Sequence, residues 1–225
     1  MEATTIRANI DEYLSDRNPD ARYASFDYCF NYFQGFRERE EIQTLANSDN
    51  IQNSCLQLGF YLASWGMYRG SARLLQTSAR HLVAIIKVIA NTEQSVWELD
   101  AGSYSEQANI DLLLGSADNI RSACPDLNMS EKLLTKILLG VFGCVPAFDT
   151  YFMRGWGAEG NRATFNPATL RQIARFYREN AEVIDDRRPY TYNFLCGEQT
   201  RRKYSQAKMI DMIFFTEGDH LEAVE

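Results

Sequence analysis

Gly59-Phe60-Tyr61-Leu62-Ala63-Ser64-Trp65-Gly66-Met67-Tyr68-Arg69-Gly70-Ser71 lies at the centre of Ile51 to Ile89, the stretch around which the chain is organised. From Ile51 to Met67, apolar side chains fall at almost every angle of a helical wheel. Ile51, Cys55, Leu58, Leu62 and Trp65 mark one stripe, and Leu56, Phe60, Ala63 and Met67 mark a second. A helix that is apolar on all sides is covered on all sides, so the pattern predicts a helix inside the protein. Its last turn then delivers Tyr68 and Arg69 to the edge of that core, between Gly66 and Gly70. A guanidinium in such a place keeps its charge, and must meet a carboxylate, carbonyl oxygens or a bound anion.

Working outward, the helical period recurs along the whole chain. Ile6, Ile10 and Leu14 predict a short amphipathic helix stopped at Asn18-Pro19. Asp20 is the expected cap of the next, whose face is Tyr23, Phe26, Phe30 and Phe33. Ser48-Asp49-Asn50 should cap the central helix, and Ser71 a long helix carrying Leu75, Leu82, Ile85, Ile86 and Ile89. Ile110 to Cys124 keeps the same spacing up to Pro125. Ser130 opens another helix, closed by Gly143 and by Pro146 three residues on.

Phe148 to Arg154 reads as one or two helical turns, and Gly155 to Asn166 as a polar, glycine-rich, mobile loop. Asn166-Pro167 is an N-cap and first-turn pair. Arg187 to Glu198 reads as irregular, and a last helix is expected from about Thr200 to Phe215. No strand alternation or internal repeat emerges. The expected fold is all-α, a single bundle-like domain over residues 1–217 with about eight or nine helices and a frayed acidic tail over residues 218–225.

The totals narrow the function classes. A chain of 225 residues with 45% hydrophobic and 24% charged side chains can bury a sizeable core. A net charge of −7 argues against indiscriminate binding to nucleic acid or anionic membranes. The charge is uneven, however, because Pro167 to Lys208 carries nine basic and five acidic residues. Such a run is either a solvated helix face or a local anion-facing surface. Five scattered cysteines form no Cys-x-x-Cys or Cys/His cluster, so neither zinc nor a disulfide framework is expected. With no signal-peptide pattern and no apolar run long enough to span a bilayer, a reduced cytoplasm is the expected compartment.

Most chemical motifs fail on context. Gly155-Trp156-Gly157-Ala158-Glu159-Gly160 matches Gly-x-Gly-x-x-Gly, but no strand precedes it and no helix opens within it, so no dinucleotide is implied. There is no phosphate-cradling Gly-x-x-x-x-Gly-Lys-Ser/Thr loop and no Gly-x-Ser-x-Gly elbow. His81 reads as a core or interface residue and His220 as solvated. The Arg–His spacing of helical bacterial ribonucleases is absent. No cofactor and no metal is expected.

What remains is a set of polar and aromatic side chains inside apolar segments: Trp65, Tyr68, Arg69, Arg73, Lys136, Asp149, Tyr151, Arg154, Lys208 and Asp211. Buried charges need partners, so these form either ion pairs that lock helices together or a ligand site. Arg69 paired with Asp149 or Asp211 is the explicit form of the first alternative.

Three stretches carry a resemblance: Leu62-Ala63-Ser64-Trp65-Gly66-Met67-Tyr68-Arg69-Gly70, Thr135-Lys136-Ile137-Leu138-Leu139-Gly140-Val141-Phe142-Gly143-Cys144-Val145-Pro146, and Lys208-Met209-Ile210-Asp211-Met212. Together they resemble a family of uncharacterised bacterial all-helical proteins. The resemblance implies that the three segments belong to one site. It also hints at carriage on mobile elements and an accessory or defence role, and it transfers no activity. Two readings follow. One is a binding or regulatory protein whose helical core holds a small anionic ligand or a partner's peptide, with self-association into a homo-oligomer left open. The other is an enzyme acting on a phosphorylated or nucleotide substrate, with Arg/Lys stabilising negative charge and an Asp as base.

Overall fold

Ile6 and Ile10, one helical turn apart, are both fully buried and seat α1 (Ala3–Ser15) on the core. The computed structural model describes residues 1–70, 72–162 and 164–224. In α2 (Ala24–Glu38) Phe26, Phe30 and Phe33 turn inward, as their spacing predicts, but Tyr23, expected on the same face, is exposed at the start of the helix. Asp20 does not cap this helix, whose N-cap position is Tyr23; the Asp20 N–H instead donates to the Asn18 side chain (3.0 Å).

The central helix departs from expectation. α3 (Ile51–Ser64) buries Cys55, Leu58, Tyr61 and Leu62, but Leu56 is 49% exposed and Phe60 65% exposed. Helices α2, α4 (Val83–Ala90) and α6 (Glu131–Phe142) pack on the first stripe, and of the second stripe Leu56, Phe60 and Ala63 face solvent while Met67 is half-buried against the core. The sequence shows that both stripes are apolar, but not how many neighbours are available to cover them. The Asn50 side chain does not cap α3, donating instead to the Thr44 carbonyl (3.0 Å).

The expected long helix after Gly70 is broken. Its proposed cap, Ser71, lies outside the described residues. Short 3₁₀ turns at Arg73–Gln76 and Ala79–Leu82 precede α4. α5 (Gln107–Ser122) and α6 then follow the predicted pattern. Ser130 accepts from the Leu133 N–H (3.2 Å) at one end of α6, and Gly143, at φ +70°, receives the chain at the other.

The first four residues of the glycine-rich segment, Gly155 to Ala158, are helix rather than loop, and the described residues from Glu159 to Asn166 are turn and loop as expected. α7 (Thr150–Ala158) contains Gly155 and Gly157 and packs along α9 (Gln206–Val224). A Cβ on Gly155 would sit 2.3 Å from the Phe214 carbonyl oxygen, and one on Gly218 would sit 2.0 Å from that of Tyr151. Here the glycines permit a close helix crossing, a use of small residues that a Gly-rich count reads as flexibility. α8 (Pro167–Asp186) begins as predicted, with Asn166 accepting from the Ala168 and Thr169 N–H groups (2.9 and 3.0 Å).

Residues 187–203 hold a small hairpin rather than irregular chain. β1 (Tyr190–Tyr192) and β2 (Gln199–Lys203) are antiparallel, with Tyr190 opposite Lys203 and Tyr192 opposite Gln199. Asp27, fully buried in α2, anchors it by accepting from the Tyr192 N–H (2.8 Å), the Tyr204 hydroxyl and Arg17 (2.7 Å). The last helix therefore starts later than expected. Asp100 caps it from a distance, accepting from the N–H groups of Gln206 and Ala207 (2.8 Å each). α9 also continues through Gly218 to Val224, so helix stands where a frayed tail was expected.

The result is all-α apart from the hairpin, with nine α-helices among the described residues. No described helix is long and apolar enough to cross a membrane.

Candidate functional site

Gly66 decides where the site begins. It has φ +76°, and around it the Gly66 N–H donates to Ala63 (3.0 Å) and the Met67 N–H to Leu62 (2.9 Å). This is the paired hydrogen-bond pattern of a helix end closed by a left-handed glycine. The turn leaves the Trp65 carbonyl pointing away from its own helix and folds Arg69 back over Gly66, where an added Cβ would lie 3.0 Å from the Arg69 guanidinium carbon.

The Trp65 carbonyl accepts from Lys136 Nζ (2.9 Å), which is buried in α6. The same ammonium lies 3.2 Å from Asp149 Oδ2. Asp149 Oδ1 in turn caps α7 by accepting from the Phe152 N–H (3.1 Å). A second ion pair stands behind Trp65: Lys208 Nζ is 2.8 Å from Asp211 Oδ2, 3.2 Å from the Tyr13 hydroxyl and 4.4 Å from the centroid of the Trp65 ring. Asp211 Oδ1 accepts from the Ala147 N–H (3.0 Å), and Thr135 Oγ1 accepts from the Phe148 N–H (2.9 Å). These two bonds pin the loop that carries Asp149 into α7. Residues from all three of the quoted stretches thus meet around Trp65.

In front of Trp65 is a cavity of about 460 Å³. Its cationic wall is Arg22, Arg69, Lys132 and Lys136, and its acidic groups are Asp149 and Asp219. Rings of Tyr23, Trp65, Tyr151 and Phe215 complete it. Among the described residues Arg69 has no ion-pair partner; Arg22 donates to the Ser64 carbonyl and Lys132 to the Thr150 hydroxyl (3.0 Å), neither being a carboxylate. Burial pulls the Lys136 ammonium below the usual lysine range, opposed by the neighbouring Asp149 carboxylate. Burial likewise raises Asp211, against the attraction of Lys208.

Of the ten residues singled out from sequence, Trp65, Arg69, Lys136, Asp149 and Tyr151 line this cavity, and Lys208 and Asp211 form the layer behind it. Three do not belong. Tyr68 turns toward Gly59, where its hydroxyl would lie 3.6 Å from an added Cβ. Arg73 is exposed on a separate 3₁₀ turn, because Gly70, at φ +62°, ends the continuity that would have put it on one face with Arg69. Arg154 points to the end of α9, donating to the Gly218 carbonyl (3.2 Å) and pairing with Glu222 (3.2 Å). The expected Arg69–Asp149 or Arg69–Asp211 pair is not made either. Both carboxylates pair with lysines, and Arg69 is exposed at the mouth of the cavity.

Sequence reasoning missed Arg22, Tyr23, Lys132, Phe215 and Asp219 as members of the wall. Lys132 was within reach, being one turn before Lys136 on the same helix face. Phe215 and Asp219 continue the stripe begun by Asp211 at four-residue steps, a signal lost by ending the helix at Phe215. Nothing in the sequence marks Arg22 or Tyr23.

None of the protein-family models, curated proteins or solved structures compared with this chain matches it. Among the described residues no group of three His, Cys, Asp or Glu side chains is placed to hold a metal ion.

Proposed function

We propose that this protein is a binding or regulatory module that holds a small anionic ligand in the cavity before Trp65. One observation carries the reading: four cations against two carboxylates line a single cavity of an acidic protein, and the exposed Arg69 has no ion-pair partner among the described residues. Like charges around a common void repel one another, and an anion in their midst relieves that repulsion. A volume of about 460 Å³ falls in the range of small-ligand pockets.

The alternative of an enzyme using an Asp as base has one supporting feature, since Asp149 lines the cavity whereas Asp211 does not. Both Asp149 oxygens are engaged, however, one in the α7 cap and one with Lys136. That occupation favours a positioning role and hence the binding reading.

The test is thermal denaturation with a panel of inorganic phosphate, sulfate, organic phosphates and carboxylates, on wild type and Arg69→Ala. An anion that binds the folded state raises the melting temperature by mass action. Arg69→Ala should melt within a degree or two of wild type without ligand and should lose most of the ligand-induced rise. Wild type unmoved by every anion, or an Arg69→Ala protein stabilised as strongly as wild type, sinks the reading. Native mass spectrometry of the purified protein would show any co-purifying anion by its mass.

A further inference from the structure

A second void of about 450 Å³ adjoins the first, and Arg22, Tyr23, Phe215 and Asp219 belong to the walls of both. Its character differs. Tyr13, Tyr23, Tyr204 and Phe215 supply aromatic surface, while Glu12, Asp16 and Asp219 supply carboxylates. Arg17 also borders it but is committed to Asp27 at 2.7 Å, and Glu12 faces His220 at 2.9 Å. Asp16 and Asp219 have no cationic partner among the described residues, so they remain free to accept hydrogen bonds.

Between the two voids runs a row of rings. Tyr151 lies 5.0 Å from Phe215, Phe215 lies 5.9 Å from Tyr13, Tyr13 lies 6.0 Å from Tyr23, and Tyr23 lies 5.0 Å from Trp65. Tyr23 is 39% exposed, stacks on Tyr13 and has the exposed Arg22 guanidinium 5.2 Å from its ring centroid, an aromatic and cationic surface suited to a base.

From this juxtaposition we infer that the ligand is a nucleoside monophosphate, with its phosphate against Arg69 and Lys132 and its base and sugar across Tyr23 in the second void. This inference rests on the anion-binding reading above and adds the ligand's chemical class. A phosphate needs the cationic lobe. A base needs an aromatic face, and sugar hydroxyls and exocyclic amines need acceptors such as Asp16 and Asp219. An inorganic anion would use only the first lobe and leave the second without a role.

The experiment is isothermal titration of the 225-residue chain with inorganic phosphate, the four common nucleoside 5′-monophosphates and the corresponding nucleosides, repeated on Tyr23→Ala, Tyr23→Leu and Asp219→Asn. At least one nucleotide should bind about tenfold or more tightly than phosphate, the ordinary yield of one stacked base. Tyr23→Ala should bring the ratio of nucleotide to phosphate affinity, both measured on the same variant, close to one, and Asp219→Asn should lower that ratio. Tyr23→Leu, which keeps apolar bulk, should also lose the preference, and this separates stacking from simple filling. Phosphate binding as tightly as every nucleotide, or a preference untouched by both Tyr23 variants, overturns the inference and leaves the anion reading standing. Failure of phosphate and all nucleotides to bind overturns the inference; if the wider anion panel fails too, both fall.

Discussion

Lys136 is the residue whose replacement tests the architecture of the site most directly. Its ammonium is 3.2 Å from Asp149 Oδ2 and 2.9 Å from the Trp65 carbonyl, and both charged residues are largely buried. At an effective dielectric constant of about 20, unit charges at that separation attract by about 5 kcal/mol, and desolvation takes back part of it. Lys136→Met keeps the apolar stem and deletes the charge, leaving a carboxylate at 7% exposure and a carbonyl without its donor. Orphaning a buried charge in this way costs about 3–5 kcal/mol. Asp149→Asn retains an oxygen for the Phe152 N–H and leaves Lys136 its carbonyl partner, so about 1–3 kcal/mol is expected. In the double variant the orphaned carboxylate no longer exists, and the loss should fall short of the sum by at least about 1 kcal/mol. Guanidinium denaturation of the four proteins at pH 7, followed by circular dichroism, closes the cycle. Two single losses that simply add, to within about 0.3 kcal/mol, would refute the claim that this pair ties α3, α6 and α7 together.

Three further outcomes follow from the same structure. Gly155→Ala should destabilise by about 1–3 kcal/mol or more, because the new methyl meets the Phe214 carbonyl at 2.3 Å; a neutral result in chemical denaturation would mean that α7 and α9 do not cross so closely. Burial pushes Asp100 up to about 6, against the opposing N–H groups of Gln206, Ala207 and Ala101. A carboxyl raised on folding from about 3.9 lends stability that is complete below about pH 4 and is lost as pH rises through about 6, up to about 3 kcal/mol. Asp27 and Asp211 are raised as well, so their contributions have the same sign; Asp100→Asn should flatten part of the decline in melting temperature between pH 4 and 6, and an unchanged profile would contradict the assignment. Phe60→Ser, on the solvent-facing stripe of α3, should alter stability by less than about 0.5 kcal/mol, whereas Leu58→Ala on the buried stripe should cost about 2–5 kcal/mol; similar losses at the two positions would restore the fully covered helix.

Local chemistry made several helical elements legible, although the expected caps Asp20 and Asn50 do not cap α2 and α3. Ser130 and Asn166 cap the helices they were expected to cap, and Gly143 closes α6, because an N-cap oxygen or a left-handed glycine acts on backbone groups two or three residues away. Period also sufficed for Phe26, Phe30 and Phe33, whose spacing puts them on one face whatever that face meets. The hairpin was invisible for a related reason: its anchor is Asp27, more than 160 residues earlier, and its three- and five-residue strands carry no alternation of their own.

The candidate site divides along the same line. Charged side chains in apolar surroundings, such as Lys136, Lys208 and Asp211, were visible as anomalies that must find partners, since unpaired burial is costly. Lys208 and Asp211 pair at i, i+3 within α9, which their spacing already permits, whereas the meeting of Lys136 with Asp149 and of Asp211 with the Ala147 N–H, rather than with Arg69, depends on how separate elements lie against each other. Gly155 shows the limit most plainly. Its lack of a side chain suits a mobile loop and a tight helix crossing equally well, and only the Phe214 carbonyl lying where its Cβ would stand selects the crossing.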